Sequence, residues 1–464
     1  MLEQSLANCR VNVVGLGATG LSLVRHLHAR GAAITVFDGS ATPAAEAQIR
    51  QSFPSVAVKR HDVARDPLPP CDLIALSPGV PRSSFALDRA IKAGIEVVGD
   101  IELFARSVSS AARVFAVTGS NGKTTTTSIA GAMAKRVDAD TVVAGNIGLP
   151  ILDALAAQPT SRTWVLELSS FQLESTRSLM LENAAVLNVS ANHLDRYPSF
   201  FDYAASKASI FSNAKRQVIN RDDAWSSAMS RTDVAQVSFG SSAPVNEFEI
   251  GLQNLNGEPA LAHGHSVLIE TSKMRLRGEH NWMNAMAAYA LTLPLSPSAD
   301  DVEGVLRTFA GVAHRYQWLG RVQGVEIIND SKATTVVASS AALSGNRAPT
   351  WLIAGGDGKG QSFDELADVC GHCKAVHLIG KDAATIAAAL DKKGIPHHRF
   401  DSLEDAVSSA LDQAKAGDVL LLSPACASWD MFRNFEHRAE CFELAVRQWA
   451  RSHSVDFEEA GQHA

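Results

Sequence analysis

No apolar run in the 464 residues approaches the ~18 consecutive positions that a bilayer-spanning helix needs, which predicts no membrane insertion. The opening stretch, Met1 to Arg10, lacks the basic-then-apolar layout of a secretory signal, so a cytoplasmic protein is expected. Cysteine is sparse: Cys9, Cys71, Cys370, Cys373, Cys426 and Cys441 are too few for a disulfide framework and fit a reducing compartment. Cys370-Gly371-His372-Cys373 reads as C-x-x-C, yet no second pair completes a tetrahedral metal site, and two unpaired thiols near a helix end are expected. A surplus of positive charge is also missing. The net charge is -7 and the basic residues are scattered, which leaves no footprint for nucleic acid. No segment recurs at a fixed short period, which excludes a solenoid.

What is present is the composition of a globular protein, 46% hydrophobic and 20% charged, in a chain long enough for roughly two to four domains. Three stretches alternate strand-like apolar runs with helix-like segments, the signature of α/β units. The first holds strands at Val11 to Val14, Ile34 to Asp38 and Leu73 to Leu76, with a helix at Leu21 to Ala29. The second holds Val114 to Val117, Trp164 to Leu168 and Ala184 to Val189. Between about Val237 and Met274 shorter, polar-alternating runs predict a small antiparallel addition. The third holds Glu326 to Ile328, Trp351 to Ala354, Val376 to Ile379 and Val419 to Leu422, separated by helices at Asp382 to Leu390 and Leu403 to Lys415. Boundaries near Ser107–Ser110 and Gly311–Ala313 divide the chain into 1–108, 109–311 and 312–464. The first and last parts read as Rossmann-like and the central one as a P-loop-type sheet. The tail from about Ser452 is acidic and poor in apolar residues, which predicts fraying.

Thr118-Gly119-Ser120-Asn121-Gly122-Lys123-Thr124-Thr125 follows a strand and opens a helix. Such a loop lets backbone N–H groups converge on phosphate oxygens where the helix dipole favours anions. Lys123 would neutralise terminal phosphates and the Thr124 hydroxyl would bind Mg²⁺. The spacing is one glycine short of G-x-x-x-x-G-K, because Val117 stands where that glycine would be. Gly15-Leu16-Gly17-Ala18-Thr19-Gly20, with Asp38 ending the next strand, matches the dinucleotide pattern G-x-G-x-x-G. Either two nucleotides bind, the favoured reading, or the first loop only packs a helix on its sheet. Glu167 ends a strand where α/β sheets present ligands, and His193 and Asp195 follow the strand that ends at Val189. In the third stretch Asn329 to Thr334, Gly355 to Gly360 and Ser423 to Ser428 each follow an apolar run, so they should crowd one sheet edge, with Lys332 and Lys359 as cations for a carboxylate or phosphate.

Taken together, the segments VVGLGATGLS, GDIELF, VTGSNGKTT, ELSSFQLE, NHLDRYPS, INDSKATT, AGGDGKG and SPACAS resemble the Mur ligases over nearly the whole chain. Folylpolyglutamate synthases share the central and C-terminal logic but lack the first glycine loop. The resemblance implies a three-domain, ATP-dependent ligase in which an acyl phosphate of UDP-N-acetylmuramoyl-L-alanine is attacked by the amine of D-glutamate. On that resemblance Gly17, Ala18, Thr19, Asp38, Ser77, Gly79, Asn146 and Gln172 line the UDP-substrate pocket. Gly119, Ser120, Asn121, Gly122, Lys123 and Thr125 hold ATP phosphates, Asn281 and Asn284 lie toward adenine, and Asp330 toward ribose. Thr124 and Glu167 hold one Mg²⁺; His193 and Lys207, the latter as a carbamate, hold a second. Arg315 steadies the transferring phosphate, and Thr334, Lys359, Ser428 and Phe435 receive D-glutamate. A monomer acting on small molecules is implied.

Four positions depart from the family pattern. Asn192 precedes His193 where an Asp is common, Gly39 and Ser40 follow Asp38 without a basic residue, and Trp429 fills a slot usually given to a smaller apolar side chain. Rival readings are an NAD-dependent oxidoreductase built on Gly15, Gly17 and Gly20, a binding protein with a decayed ATPase, and a Mur-type ligase for L-alanine or L-glutamate.

Overall fold

A computed structural model describes residues 6–39, 41, 43–190, 192, 196–276, 278–344 and 348–459. Among them the chain forms three sheets with helices on their faces. It divides into two compact units, Met1–Met274 with Trp282–Arg307, and Arg275–Asn281 with Thr308–Ala464.

The first unit contains two sheets. One is parallel, built from β1 (Arg10–Val14), β2 (Ala33–Asp38), β3 (Ala57–Arg60), β4 (Leu73–Leu76) and β5 (Glu96–Gly99) in the order β3-β2-β1-β4-β5. The strand order reverses between β1 and β4, and there the loops after both strands meet. The other sheet has nine strands: β6 (Arg113–Thr118), β7 (Val142–Gly145), β8 (Thr163–Glu167), β9 (Asn183–Val186), β10 (Arg216–Asn220), β11 (Ala235–Phe239), β12 (Glu249–Leu255), β13 (Glu258–His263) and β14 (Ser266–Glu270). Their order is β14-β13-β12-β11-β10-β9-β6-β8-β7. Strands β4 and β8 are buried at every residue, as expected when helices cover both faces of a parallel sheet. One apolar core runs across both sheets, with Phe104 packed edge-on against Trp164 at 5.0 Å between ring centres. Arg25 pairs with Asp153 across the same junction.

The second unit carries β15 (Gln317–Val322), β16 (Val325–Asn329), β17 (Thr350–Gly355), β18 (Cys373–Ile379), β19 (His397–Arg399), β20 (Val419–Leu422) and β21 (Phe457–Glu459) in the order β19-β18-β17-β20-β16-β15-β21. The five from β19 to β16 are parallel, so the loops after β16, β17 and β20 share one edge.

Two expectations need correction. The stretch after Val237 is not antiparallel from its start: β11 pairs parallel with β10 and β12 parallel with β11, and only β12, β13 and β14 form an antiparallel meander. Polar alternation reports one solvated face and cannot distinguish the two pairings. The tail does not fray at Ser452. Phe457–Glu459 pairs antiparallel with β15, Phe457 packs on the core beneath Arg447, and Gly320 lets the Glu458 carbonyl approach where a Cβ would lie 2.2 Å from it. One aromatic residue and a facing glycine outweigh an acidic composition.

All six cysteines are unpaired. Cys370 and Cys373 are buried side by side, and the hydrogen bond that the Cys373 thiol donates to Cys370, then burial, raise that thiol above its ordinary range. Among the described residues no group of three or more His, Cys, Asp or Glu gathers as a metal site, and no helix is long and apolar enough to cross a membrane.

Candidate functional site

In the first unit the chemistry gathers where β6, β8 and β9 end. The loop Gly119–Gly122 passes from β6 into the helix Lys123–Val137. Gly122 has φ +81°, and a Cβ there would stand 2.3 Å from Asn284 Oδ1, so both conformation and space require glycine. Asn188, at the end of β9, braces the loop: its Oδ1 accepts from Asn121 N–H at 2.9 Å and its Nδ2 donates to the Asn121 carbonyl at 3.2 Å. Thr124 donates its hydroxyl proton to Glu167 Oε2 at 2.7 Å, and Asn146 Nδ2 donates to the other oxygen at 2.9 Å. Glu167 is buried. One hydroxyl and one carboxylate beside a phosphate loop is a donor set that suits Mg²⁺, which keeps waters and takes its remaining ligands from phosphate.

Lys123 Nζ donates to the carbonyls of Gly119 and Ser120, both at 2.9 Å. Lys207, on the helix Phe200–Ala208, donates to the same Gly119 carbonyl at 2.9 Å and is only 2% exposed. Two ammonium groups on one carbonyl repel, and burial penalises the charge further. Burial first, then Lys123, lower the Lys207 pKa to about 6, so near neutral pH it is the uncharged one of the pair. Tyr203 sits beneath its Nζ, 4.6 Å from ring centre, and bonds Ser120 Oγ at 2.9 Å.

The first glycine loop is equally specific. Leu16 N–H donates to Asp38 Oδ2 at 2.6 Å, Gly15 has φ +91°, and a Cβ on Gly20 would stand 1.9 Å from the Gly15 carbonyl. Ser77 lies against Gly15, where a Cβ would come within 2.8 Å. Arg196 stacks over Phe171 at 4.1 Å and donates to the carbonyls of Pro78 and Gly79. Gln172 is buried, its amide held by Ser169 and by Asp100.

In the second unit Asp330 follows β16, Gly355 ends β17 and Gly356 to Gly360 follow it, and Ser423 to Ser428 follow β20. Asp330 accepts from Tyr316 N–H at 3.0 Å and from the Ser423 hydroxyl at 2.8 Å, while burial pushes its carboxyl up to about 7. Asp357 and Ala427 exchange backbone hydrogen bonds, both 2.9 Å, which zips two of the loops together. Gln361 adds a third tie by accepting from Val336 N–H and donating to the Ala425 carbonyl. Lys359 is exposed at φ +53°, with its N–H capped by Asp357 Oδ1. Arg438, buried on the helix Phe435–Ser452, bonds Ser331 and the carbonyls of Cys426 and Gly355, holding all three loops to one helix. Lys332 Nζ lies 3.6 Å from the centre of the Phe435 ring.

The first unit therefore brings together Gly119, Ser120, Asn121, Gly122, Lys123, Thr124, Glu167, Asn146, Lys207 and Asn284. Thr125 is buried as the third residue of the helix. Gly17 caps the helix that begins at Ala18 and contains Thr19. The second unit brings Asp330, Thr334, Lys359, Ser428 and Phe435 to one edge of its sheet, with Arg315 in the turn before β15. Asn281 lies on the helix Glu279–Thr292 together with Asn284. His193 and Asp195 lie outside the described residues. Asn188, Tyr203 and Arg438 escape a reading of motifs. Only Asn188 carries a signal, as a polar residue interrupting the apolar run Ala184 to Val189.

These features define an α/β protein whose first unit is organised around a glycine loop that opens a helix, the form that suits a nucleotide phosphate. Family models agree along the chain: residues 9–99 match the MurD-like N-terminal domain, 117–292 the Mur ligase middle domain and 314–426 the Mur ligase glutamate ligase domain. The chain belongs to the Mur ligase family. It is 47% identical over 442 residues to the UDP-N-acetylmuramoylalanine–D-glutamate ligase of Methylobacillus flagellatus, covering 95% of this chain and 97% of that one. It is 43% identical over 466 residues to the ligase of the same name from Nitrosospira multiformis, covering 98% of each. Among solved structures it is similar to a UDP-N-acetylmuramate-alanine ligase from Thermotoga maritima, with a TM-score of 0.58 at 18% identity over 96% of this chain and 100% of that one. MurF from Acinetobacter baumannii matches with a TM-score of 0.58 at 15% identity over 95% and 93%. These two likenesses speak for the fold alone. Family membership sets aside the oxidoreductase reading of the first glycine loop.

Proposed function

We propose that the chain joins D-glutamate to the alanyl carboxylate of UDP-N-acetylmuramoyl-L-alanine, with ATP cleaved to ADP and phosphate. The observation that carries this reading is the near-full-length similarity to ligases of that name. The site chemistry supports it. Phosphoryl transfer from ATP to a carboxylate brings two anions together, so it calls for positioned cations more than for a covalent nucleophile. Lys123, with the N–H groups of the loop and of the helix it opens, serves the ATP phosphates. Mg²⁺, when bound by Thr124 and Glu167, would neutralise charge on the phosphates. Arg315 steadies the transferring group and Asp330 the ribose. The loops with Thr334, Lys359, Ser428 and Phe435 receive D-glutamate, whose amine attacks the acyl phosphate; the tetrahedral adduct then expels phosphate and leaves the amide.

The reading extends to Lys207 as a carbamate that, with His193, holds a second Mg²⁺. An amine kept neutral by burial and by Lys123 has the lone pair that reaction with CO₂ requires, and the product is the anion a divalent cation needs. The remaining assignments follow the same reading: a UDP pocket at Gly17, Ala18, Thr19, Asp38, Ser77, Gly79, Asn146 and Gln172, adenine beside Asn281 and Asn284, and domains 1–108, 109–311 and 312–464. The setting is a cytoplasmic monomer in peptidoglycan precursor synthesis, on which cell shape and division depend. The test is phosphate release from ATP with UDP-N-acetylmuramoyl-L-alanine, offering D-glutamate, L-glutamate and L-alanine in turn. Release should need Mg²⁺ and D-glutamate together; equal turnover with L-alanine, or none with any, overturns the reading.

A further inference from the structure

The helix Asp100–Ser107 directly follows the last strand of the first sheet, yet its two acids serve the second. Glu102 accepts from Arg177 N–H at 2.7 Å, from Ser178 N–H at 2.9 Å and from the Ser178 hydroxyl at 2.8 Å. Gly99 lets Ser175 come close, since a Cβ there would stand 2.3 Å from Ser175 Oγ. Asp100, only 2% exposed, accepts from Gln172 Nε2 at 3.1 Å, and its second oxygen is buried with no partner. Gln172 Oε1 is taken by Ser169 N–H at 3.1 Å and by the Ser169 hydroxyl at 3.2 Å. A glutamine amide can turn over and exchange its oxygen and nitrogen. Here the acceptor Asp100 stands on one side and the donors of Ser169 on the other, so a single orientation satisfies both.

We propose that Asp100 is a positioning residue for the UDP-sugar substrate: it fixes the Gln172 amide so that the second Nε2 hydrogen is offered to a carbonyl or hydroxyl oxygen of that substrate. The inference rests on the reading that Gln172 faces the UDP-sugar peptide. Burying this carboxyl is costly, since desolvation raises its pKa to about 6, and an apolar residue would dock the helix without that cost. Its presence is explained by what it does to Gln172.

The test compares Michaelis constants for UDP-N-acetylmuramoyl-L-alanine, ATP and D-glutamate in five variants, with calorimetry to follow folding. Asp100→Ala releases the amide and should raise KM for the UDP-sugar about tenfold, the worth of one oriented hydrogen bond, with kcat and KM for ATP within twofold. Asp100→Asn still presents an oxygen to Nε2 and should stay near wild type. Gln172→Glu sets two buried carboxylates together and should lower both stability and affinity. In the double variant Asp100→Asn with Gln172→Glu, the asparagine Nδ2 donates to the new carboxylate. The contact is rebuilt with reversed polarity, so stability should return while KM for the UDP-sugar stays high. Recovery of both in the double variant would show a purely structural contact and overturn the proposal. So would equal changes in every KM for Asp100→Ala. If Gln172→Ala leaves KM for the UDP-sugar unchanged, the reading of Gln172 itself fails; if it raises that KM while Asp100→Ala does not, only the positioning role fails.

Discussion

Gly122→Ala tests the phosphate loop at its tightest point. The alanine must hold φ near +81°, a left-handed conformation that costs a residue with a Cβ roughly 1–2 kcal/mol. Its methyl would also stand 2.3 Å from Asn284 Oδ1, so Asn284 has to withdraw. Withdrawal breaks the 3.3 Å bond from the Thr126 hydroxyl, which leaves a buried donor unpaired at a further ~1 kcal/mol. The two effects together come to about 2–3 kcal/mol. Because Asn284 is assigned to the adenine side, the same substitution should raise KM for ATP at least tenfold while KM for D-glutamate holds. Calorimetry of the transition that ATP shifts, together with initial rates, measures both. Gly79→Ala is the control: it has open space around it and no positive φ, so its stability should change by less than about 0.5 kcal/mol. If Gly122→Ala is as benign as Gly79→Ala, the loop is not held as argued and Asn284 has no part in it.

Three further outcomes are expected. Removing Lys359 or Ser428 should raise KM for D-glutamate by roughly ten- to a hundredfold, the loss of a charge-assisted bond worth about 1.5–3 kcal/mol, with KM for ATP unmoved; equal changes would place the amino acid elsewhere. Lys207→Ala should abolish most turnover, acetate at high concentration should restore part of it, and Lys207→Arg should stay inactive; an active arginine variant rules out the carbamate. Asp330, raised from 3.8 to about 7 by burial, binds its proton more tightly folded than unfolded. Its contribution to stability is therefore fully present below about pH 4 and is lost as pH rises through 7. Denaturant midpoints for Asp330→Asn should lack that decline, and parallel curves for variant and wild type would refute the assignment.

Much of the site was legible because its chemistry is written in local runs. GSNGKTT needs positive φ at glycine and a helix start, and both requirements sit within eight consecutive residues. Asp38 was legible because the residue ending the second strand faces the loop ending the first, as in any parallel pair. What stayed hidden depends on partners far along the chain. Asp100 meets Gln172 across 72 positions and Asn121 meets Asn188 across 67, and neither pair follows a period. Arg438 reads as a solvated cation in the first turn of an amphipathic helix, yet it is buried because three loops turn carbonyls or a serine toward it. Tyr203 reads as core, and only the fold shows its hydroxyl on Ser120.

On the proposed reading, the Gly119 carbonyl that both lysines share gives them different parts. Lys123 is held by the carbonyls of Gly119 and Ser120, so an arriving phosphate exchanges two neutral acceptors for anionic ones and the charge-assisted bonds are the stronger. That exchange would take one ammonium off the Gly119 carbonyl and leave Lys207 alone on it. As a protonated ammonium, Lys207 would have added a second buried cation beside Lys123 before any nucleotide arrived, a repulsion that burial makes worse. As a neutral amine it fills the same space at no electrostatic cost, and it is the form that CO₂ converts to an anion. On the carbamate proposal the 2% exposure of Lys207 is part of its chemistry: a solvated lysine at this position would stay charged and would not react with CO₂.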